Sequence, residues 1–231
     1  MLHEETVAPA TIDLIKRLSA DKMLNDFVLV GGTALALQLG HRRSIDIDLF
    51  ASSEVDTKKI GAHLKSVYQI GDMAIIKNGI FTWIEGVKLD MLSKVPNWIN
   101  PPLLIDGVRM ASLDDIAASK LHAIVQSGAR LKDFIDMYFL FEHRSLEGML
   151  NTYEKKYPES SPSIARNALL HHADINFTWD TSVLIRPFDW KEINARLRRA
   201  VFSAKMVFTP EPPRKIPSQQ QQTKKQNRRK R

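Results

Sequence analysis

The run Ser44-Ile45-Asp46-Ile47-Asp48-Leu49-Phe50 alternates apolar and acidic residues without a break, and that alternation leaves a chain little freedom. Residues i and i+2 of a strand project from one face, so Ile45, Ile47 and Leu49 seek a core while Asp46 and Asp48 stand together on the opposite side. One face of a sheet is therefore covered and the other is open to water or a ligand. Just upstream, Phe27-Val28-Leu29-Val30 reads as another strand, stopped by Gly31 and Gly32. TALALQL then has the composition to start a helix at or just after Thr33.

Around this kernel the periodicity alternates between the two structural classes. Ile12, Ile15 and Leu18 mark a first helix ending before Asn25. A helix near 56–67 and strands near 69–77, 79–85 and 87–93 follow, with Lys77-Asn78-Gly79 as a hairpin turn. Beyond Pro101-Pro102 the pattern turns helical: SLDDIAASKLHAIV opens at Ser112, whose spacing to Asp115 is a capping signal, then KDFIDMYFLFEH, then helices near 145–156, 162–172 and 190–206. The expected fold class is α+β, a mixed β-sheet with flanking helices over 1–106 followed by a mostly α-helical half over 107–208. Residues 209–231 run Pro-rich, Gln-rich and then basic without apolar periodicity, which predicts a disordered basic tail.

Charge and composition exclude several function classes. Eight of the 33 basic residues and none of the 26 acidic ones lie in residues 214–231, so the remaining 213 residues are near neutral, and the net +7 does not by itself argue for a nucleic-acid-binding body. No apolar run approaches about 18 residues, which argues against a membrane span. Glu4 and Glu5 stand where a secretory leader would carry a cation, giving a cytoplasmic expectation. With no cysteine, disulfides and Cys-ligated zinc are excluded.

The residues suited to chemistry fall near Asp46 and Asp48. Two carboxylates on one strand face repel unless a cation joins them, and hard oxygen ligands select Mg²⁺ or Mn²⁺. Asp90, alternating with Leu89 and Met91 on another strand, offers a third acid. Three such acids suit a two-ion site for phosphoryl or nucleotidyl transfer. Gly31 and Gly32 permit close backbone approach ahead of a helix N-terminus, a phosphate cradle to which Thr33 can add its hydroxyl. Lys120 lies on an amphipathic helix where a cation suits triphosphate charge, and Asp133 and Asp136, three apart, can orient it or the nucleotide. Arg42 and Arg43 suit a phosphate and suit plain surface charge equally. The histidines lack metal-ligand spacing, and Trp179 and Trp190 read as packing residues.

The runs GGTALAL, GHRRSIDIDLF, VKLDML, KLHAI and RLKDFIDMYFL, in that order over residues 28–142, resemble the AbiEii/AbiGii nucleotidyltransferase toxins of the DNA polymerase beta-like superfamily. The resemblance implies that Gly31, Gly32 and Thr33 bind the triphosphate, that Asp46, Asp48 and Asp90 hold metal, and that Lys120, Lys132, Asp133 and Asp136 form a helical active-site motif. Arg42 joins the nucleotide-binding set as a candidate. It further implies an NTP substrate, Mg²⁺ or Mn²⁺, an acceptor such as transfer RNA, and a toxin's place in a toxin–antitoxin or phage-defence module with a cognate antitoxin. A catalytically silent nucleic-acid- or antitoxin-binding protein of the same fold, and a small-molecule nucleotidyltransferase, remain alternatives at this point.

Overall fold

Seven strands form a single mixed sheet in a computed structural model that describes residues 1–177 and 189–210. In chain order these are β1 (Val28–Leu29), β2 (Ile47–Phe50), β3 (Ile70–Ile76), β4 (Gly79–Ile84), β5 (Val87–Leu92), β6 (Leu103–Ile105) and β7 (Val108–Met110). Their spatial order is β3-β4-β5-β2-β1-β7-β6. The described α-helices are α1 (Pro9–Ala20), α2 (Gly31–Leu39), α3 (Thr57–Val67), α4 (Leu113–Gln126), α5 (Leu131–Leu140), α6 (Leu146–Lys156), α7 (Pro162–Ala168) and α8 (Trp190–Phe202). The expected basic tail from residue 211 onward, and Trp179, lie outside the described residues.

The β3–β4–β5 meander falls within about a residue of the strands expected near 69–77, 79–85 and 87–93. Two pairings then set up the site. β2 runs parallel to β5 with Asp48 directly beside Asp90, and antiparallel to β1, so that Val30 N donates to the Asp48 carbonyl at 2.9 Å. Asp48 is thereby delivered beside the turn that follows β1. Strand β2 begins at Ile47, leaving Asp46 one residue outside it, and the apolar face is buried as expected except for Ile45, which is exposed.

The expected division near residue 106 needs correction. Residue 106 falls in the turn of the β6–β7 hairpin, and β7 pairs in parallel with β1 through Leu29 and Met110, so the sheet is completed only after that point. The helices are not a separate body either. α4 packs against α2 and α6, and α5 against α2 and α8, and their buried residues join those of the sheet in one core. Ser112 caps α4, its hydroxyl accepting from Asp115 N at 3.1 Å and donating to Asp115 Oδ2 at 2.8 Å. α7 and α8 stop at Ala168 and Phe202, short of the expected 172 and 206.

Candidate active site

The glycine pair is explained by what each glycine faces. Gly31 has φ +69°, and a Cβ there would lie 2.5 Å from Asp48 Oδ2; a Cβ on Gly32 would overlap Arg42 Nη2. Each glycine thus makes room for one charged side chain, and side chains larger than hydrogen would displace both. α2 starts at this turn from Val30, which has no side-chain acceptor to offer the first N–H groups of the helix.

These groups open onto a cavity of about 610 Å³ between the sheet and α4. Of the residues named from sequence, Gly31, Gly32, Arg42, Asp46, Asp48, Lys120, Lys132 and Asp133 line it. Thr33, Asp90 and Asp136 do not. The Thr33 side chain is buried and its hydroxyl bonds the Asp46 carbonyl and the Ser44 hydroxyl, so it braces the acidic strand to α2 instead of facing a phosphate. Asp136 is fully buried and surrounded by donors: His41 Nε2 at 2.8 Å, Arg42 Nε at 2.6 Å and Nη2 at 3.0 Å, and Lys120 Nζ at 2.6 Å. With its oxygens so occupied it is a hub beneath the cavity wall. Arg42 is buried as well, which removes the surface-charge reading of that residue.

Lys120 Nζ bridges Asp136 and Asp133 Oδ1, the latter at 2.8 Å. Burial pushes this amine down, but the two carboxylates outweigh it and hold Lys120 above its ordinary value, charged at neutral pH. Burial likewise pushes Asp136 up, and Arg42, Lys120 and His41 overcome it, keeping Asp136 well below the usual carboxylate range. His41 is pushed down by burial and sits neutral, its Nδ1 unpartnered among the described residues.

Asp48 on the sheet behaves in the opposite way. Burial first, and then the neighbouring Asp90 and Asp46, push Asp48 up to about 6 against the opposing pull of Lys120 and Lys88. Asp90 is paired through Oδ2 with Lys88 Nζ at 2.6 Å, while its Oδ1 is buried without a hydrogen-bond partner among the described residues. As the side chains stand, no group of three or more His, Asp or Glu residues among those described is gathered closely enough to hold a metal ion. The donors nevertheless fit a hard divalent cation: all are carboxylate oxygens, one is buried and unpartnered, and one is made reluctant to ionise by burial and by its acidic neighbours.

Among the cavity residues that the sequence patterns do not single out is Arg130. Arg130 lines the wall with about half of its side chain exposed, and its Nε meets Asp133 Oδ2 at 3.0 Å. The signal available was its position three before Asp133, a spacing at which helical neighbours meet.

The family model described as nucleotidyl transferase AbiEii toxin, type IV toxin–antitoxin system, matches residues 13–221. The chain belongs to the AbiEii family. An uncharacterized protein of Aquifex aeolicus strain VF5 is 31% identical to it over 183 residues, covering 77% of this chain and 87% of that protein. Two Helicobacter pylori crystal structures share the fold at a TM-score of 0.53 each. One, described as a nucleotidyltransferase, is 19% identical and covers 88% of this chain and 93% of its own. The other, JHP933, is 18% identical and covers 99% and 97%. Membership of the AbiEii family supports a nucleotidyl-transfer or toxin–antitoxin role, and the mixed sheet with flanking helices is the nucleotidyltransferase-like fold. No helix among the described residues is long and apolar enough to cross a membrane.

Proposed function

We propose that this AbiEii-family chain transfers a nucleoside monophosphate from an NTP to an RNA acceptor such as transfer RNA, with Mg²⁺ or Mn²⁺, as the toxin of a module whose antitoxin restrains it. The observation that supports this most is the placing of three chemistries in one cavity: the glycine turn, the Asp46–Asp48 pair and the charged Lys120. A phosphate chain seated at the first N–H groups of α2 would lie beside Asp48, because Gly31 brings backbone and carboxylate together.

Asp46, Asp48 and Asp90 would hold the metal, which when bound neutralises phosphate charge and supports the attacking and leaving oxygens. The chain's own residues divide the remaining work. Lys120, with Arg130 and Lys132 along the same wall, supplies positive charge to the triphosphate as pyrophosphate departs. Asp133 and Asp136 aim the lysine, Arg42 locks that pair to the glycine turn, and Thr33 fixes the strand carrying the acids. An acceptor hydroxyl reaching this acid cluster would be activated there for attack on the α-phosphorus, with pyrophosphate as the leaving group.

The basic run 214–231 suits an RNA backbone through counterion release. The deciding experiment supplies each α-labelled NTP with Mg²⁺ to total RNA, protein and small-molecule fractions. Label in RNA, lost in Asp48→Asn, is the expected result. Label confined to small molecules would move the acceptor to another class, and no label in any fraction would favour a silent binding protein.

A further inference from the structure

Beyond the acids and cations, the same cavity has an aromatic wall. Trp98, from the connection between β5 and β6, and Tyr157, just past α6, line it together with His122 of α4. Resting on the reading above, we infer that this wall is the seat of the donor nucleotide's base, with Trp98 as the stacking platform and Tyr157 beside it.

The wall is built and held in place. Asp115 in the first turn of α4 accepts from Ile99 N and Asn100 N, at 3.0 and 3.1 Å, pinning the segment that carries Trp98. Lys156, itself buried, reaches Asp115 Oδ1 at 2.8 Å and the Asn97 carbonyl at 3.3 Å, with its ammonium 4.6 Å from the Trp98 ring centre. One face of the indole is thus backed by a fixed cation, and the ring remains partly exposed. Tyr157 is equally constrained, stacked on His122 at 4.0 Å and 3° with its hydroxyl 3.3 Å from Ser119 Oγ.

The polar edges of these side rings are already engaged. Tyr157 Oη meets Ser119, and His122 Nε2 meets Gln126 at 2.8 Å. What they offer a ligand is aromatic surface, which suits a planar heterocycle. Position favours the donor's base over one from the acceptor. Asp115 and Lys120 are five residues apart on α4, a rise of about 7.5 Å along its axis at 1.5 Å per residue, a span that a sugar can bridge between phosphates and base. The cavity's volume is also in the range of a single small-molecule site.

Binding of ATP, GTP, CTP, UTP and inorganic tripolyphosphate is measured on the full chain and on Trp98→Leu, Trp98→Phe and Tyr157→Leu, following tryptophan fluorescence and calorimetry. Trp98→Leu should weaken the nucleotides about tenfold, in line with the worth of a base stacked on an aromatic ring, and leave tripolyphosphate within twofold. Trp98→Phe should keep most of the affinity yet lose the base-induced quenching, a signature that a packing role would not produce. Equal losses for nucleotides and tripolyphosphate, or nucleotide affinity unchanged with a raised KM for RNA, would overturn the inference. If the unsubstituted chain binds tripolyphosphate no less tightly than any nucleotide, this inference alone fails; if it binds neither, the proposed function fails with it. Should Trp98→Leu not fold, the quenching in Trp98→Phe and the affinities of Tyr157→Leu decide.

Discussion

Two clusters of charge lie on either side of the glycine turn, and they are built from the same carboxyl chemistry in opposite electrostatic states. Beneath the turn, Asp136 is fully buried, receives His41, Arg42 and Lys120, and is held well below the ordinary carboxylate range. On the sheet, burial first and then the neighbouring Asp90 and Asp46 push Asp48 up to about 6. The first cluster has its charges balanced within the fold, as a buried structural element requires. The second carries an excess of like charge at a cavity wall, which is how a protein prepares for a cation that is not part of the chain. Burial alone does not separate the two; compensation does.

Breaking the balanced cluster should have the larger effect. Asp136→Ala strands Arg42 and Lys120 without their shared acceptor and should cost about 3–5 kcal/mol of stability, read from urea unfolding. A loss under about 1 kcal/mol would show that the buried charges are solvated by other means. Lys120→Ala should also destabilise, because Asp133 and Asp136 lose the ammonium between them. Its effect on transfer must therefore be measured under conditions where the variant is shown to be folded.

Substitution in the unbalanced cluster should act on chemistry instead. Asp48→Asn should cut nucleotidyl transfer by about a hundredfold or more, roughly 2.7 kcal/mol of transition-state stabilisation, with no loss of stability. An amide is a poor ligand for a hard cation and relieves repulsion with Asp46 and Asp90. Full activity in Asp48→Asn would remove the acid cluster from the mechanism and leave the glycine turn and Lys120 to support a catalytic role.

What could be read from the sequence follows the same division. β2 and β5 are local patterns, legible because their apolar faces are buried at period two, and the Lys77-Asn78-Gly79 turn marks the β3–β4 hairpin just as locally. The capping of α4 by Ser112 is equally local. The buried network is not local: Arg42 and Asp136 are 94 residues apart, and nothing in the dipeptide Arg42-Arg43 distinguishes the buried arginine from the exposed one. The sheet's continuation past residue 106 was hidden because β6 and β7 have three residues each, too few for a period, and β7 pairs with a strand some 80 positions earlier. Thr33 was assigned to phosphate from its neighbours in sequence, whereas its hydroxyl is claimed by Ser44 and the Asp46 backbone.

The glycines offer a finer separation, since one faces each cluster. Gly31→Ala places a methyl 2.5 Å from Asp48 Oδ2 at a positive φ, while Gly32→Ala intrudes on Arg42. Both should cost about 1–3 kcal/mol in stability. Their effects on affinity should differ: Gly31→Ala should alter the apparent Kd for Mg²⁺ through Asp48, and Gly32→Ala should leave it within twofold. Identical changes in both variants would mean that the turn responds as a unit and that the two clusters are not mechanically separate.

The smallest effect tests the electrostatic contrast most directly. With an ordinary value of 3.8 when unfolded and about 6 when folded, Asp48 keeps its proton longer in the folded protein. Below about pH 3 both states hold the proton and the residue is neutral to stability. As pH rises from about 3 towards 7 the unfolded chain releases its proton first, so the folded state binds more protons and stability falls. The two-unit separation corresponds to about 3 kcal/mol at 1.36 kcal/mol per unit, which partial solvent access reduces to an expected 1–2 kcal/mol. Asn at position 48 has no charge to bury. Asp48→Asn should therefore match the unsubstituted protein near pH 3 and exceed it by about 1–2 kcal/mol at pH 7.5, in urea titrations without divalent ions. Adding Mg²⁺ at pH 7.5 should narrow the gap, because the ion stabilises only the ionised carboxylate. A difference that stays flat across this range would show that Asp48 titrates normally, and the acidic cluster would then carry no excess charge for a cation to relieve.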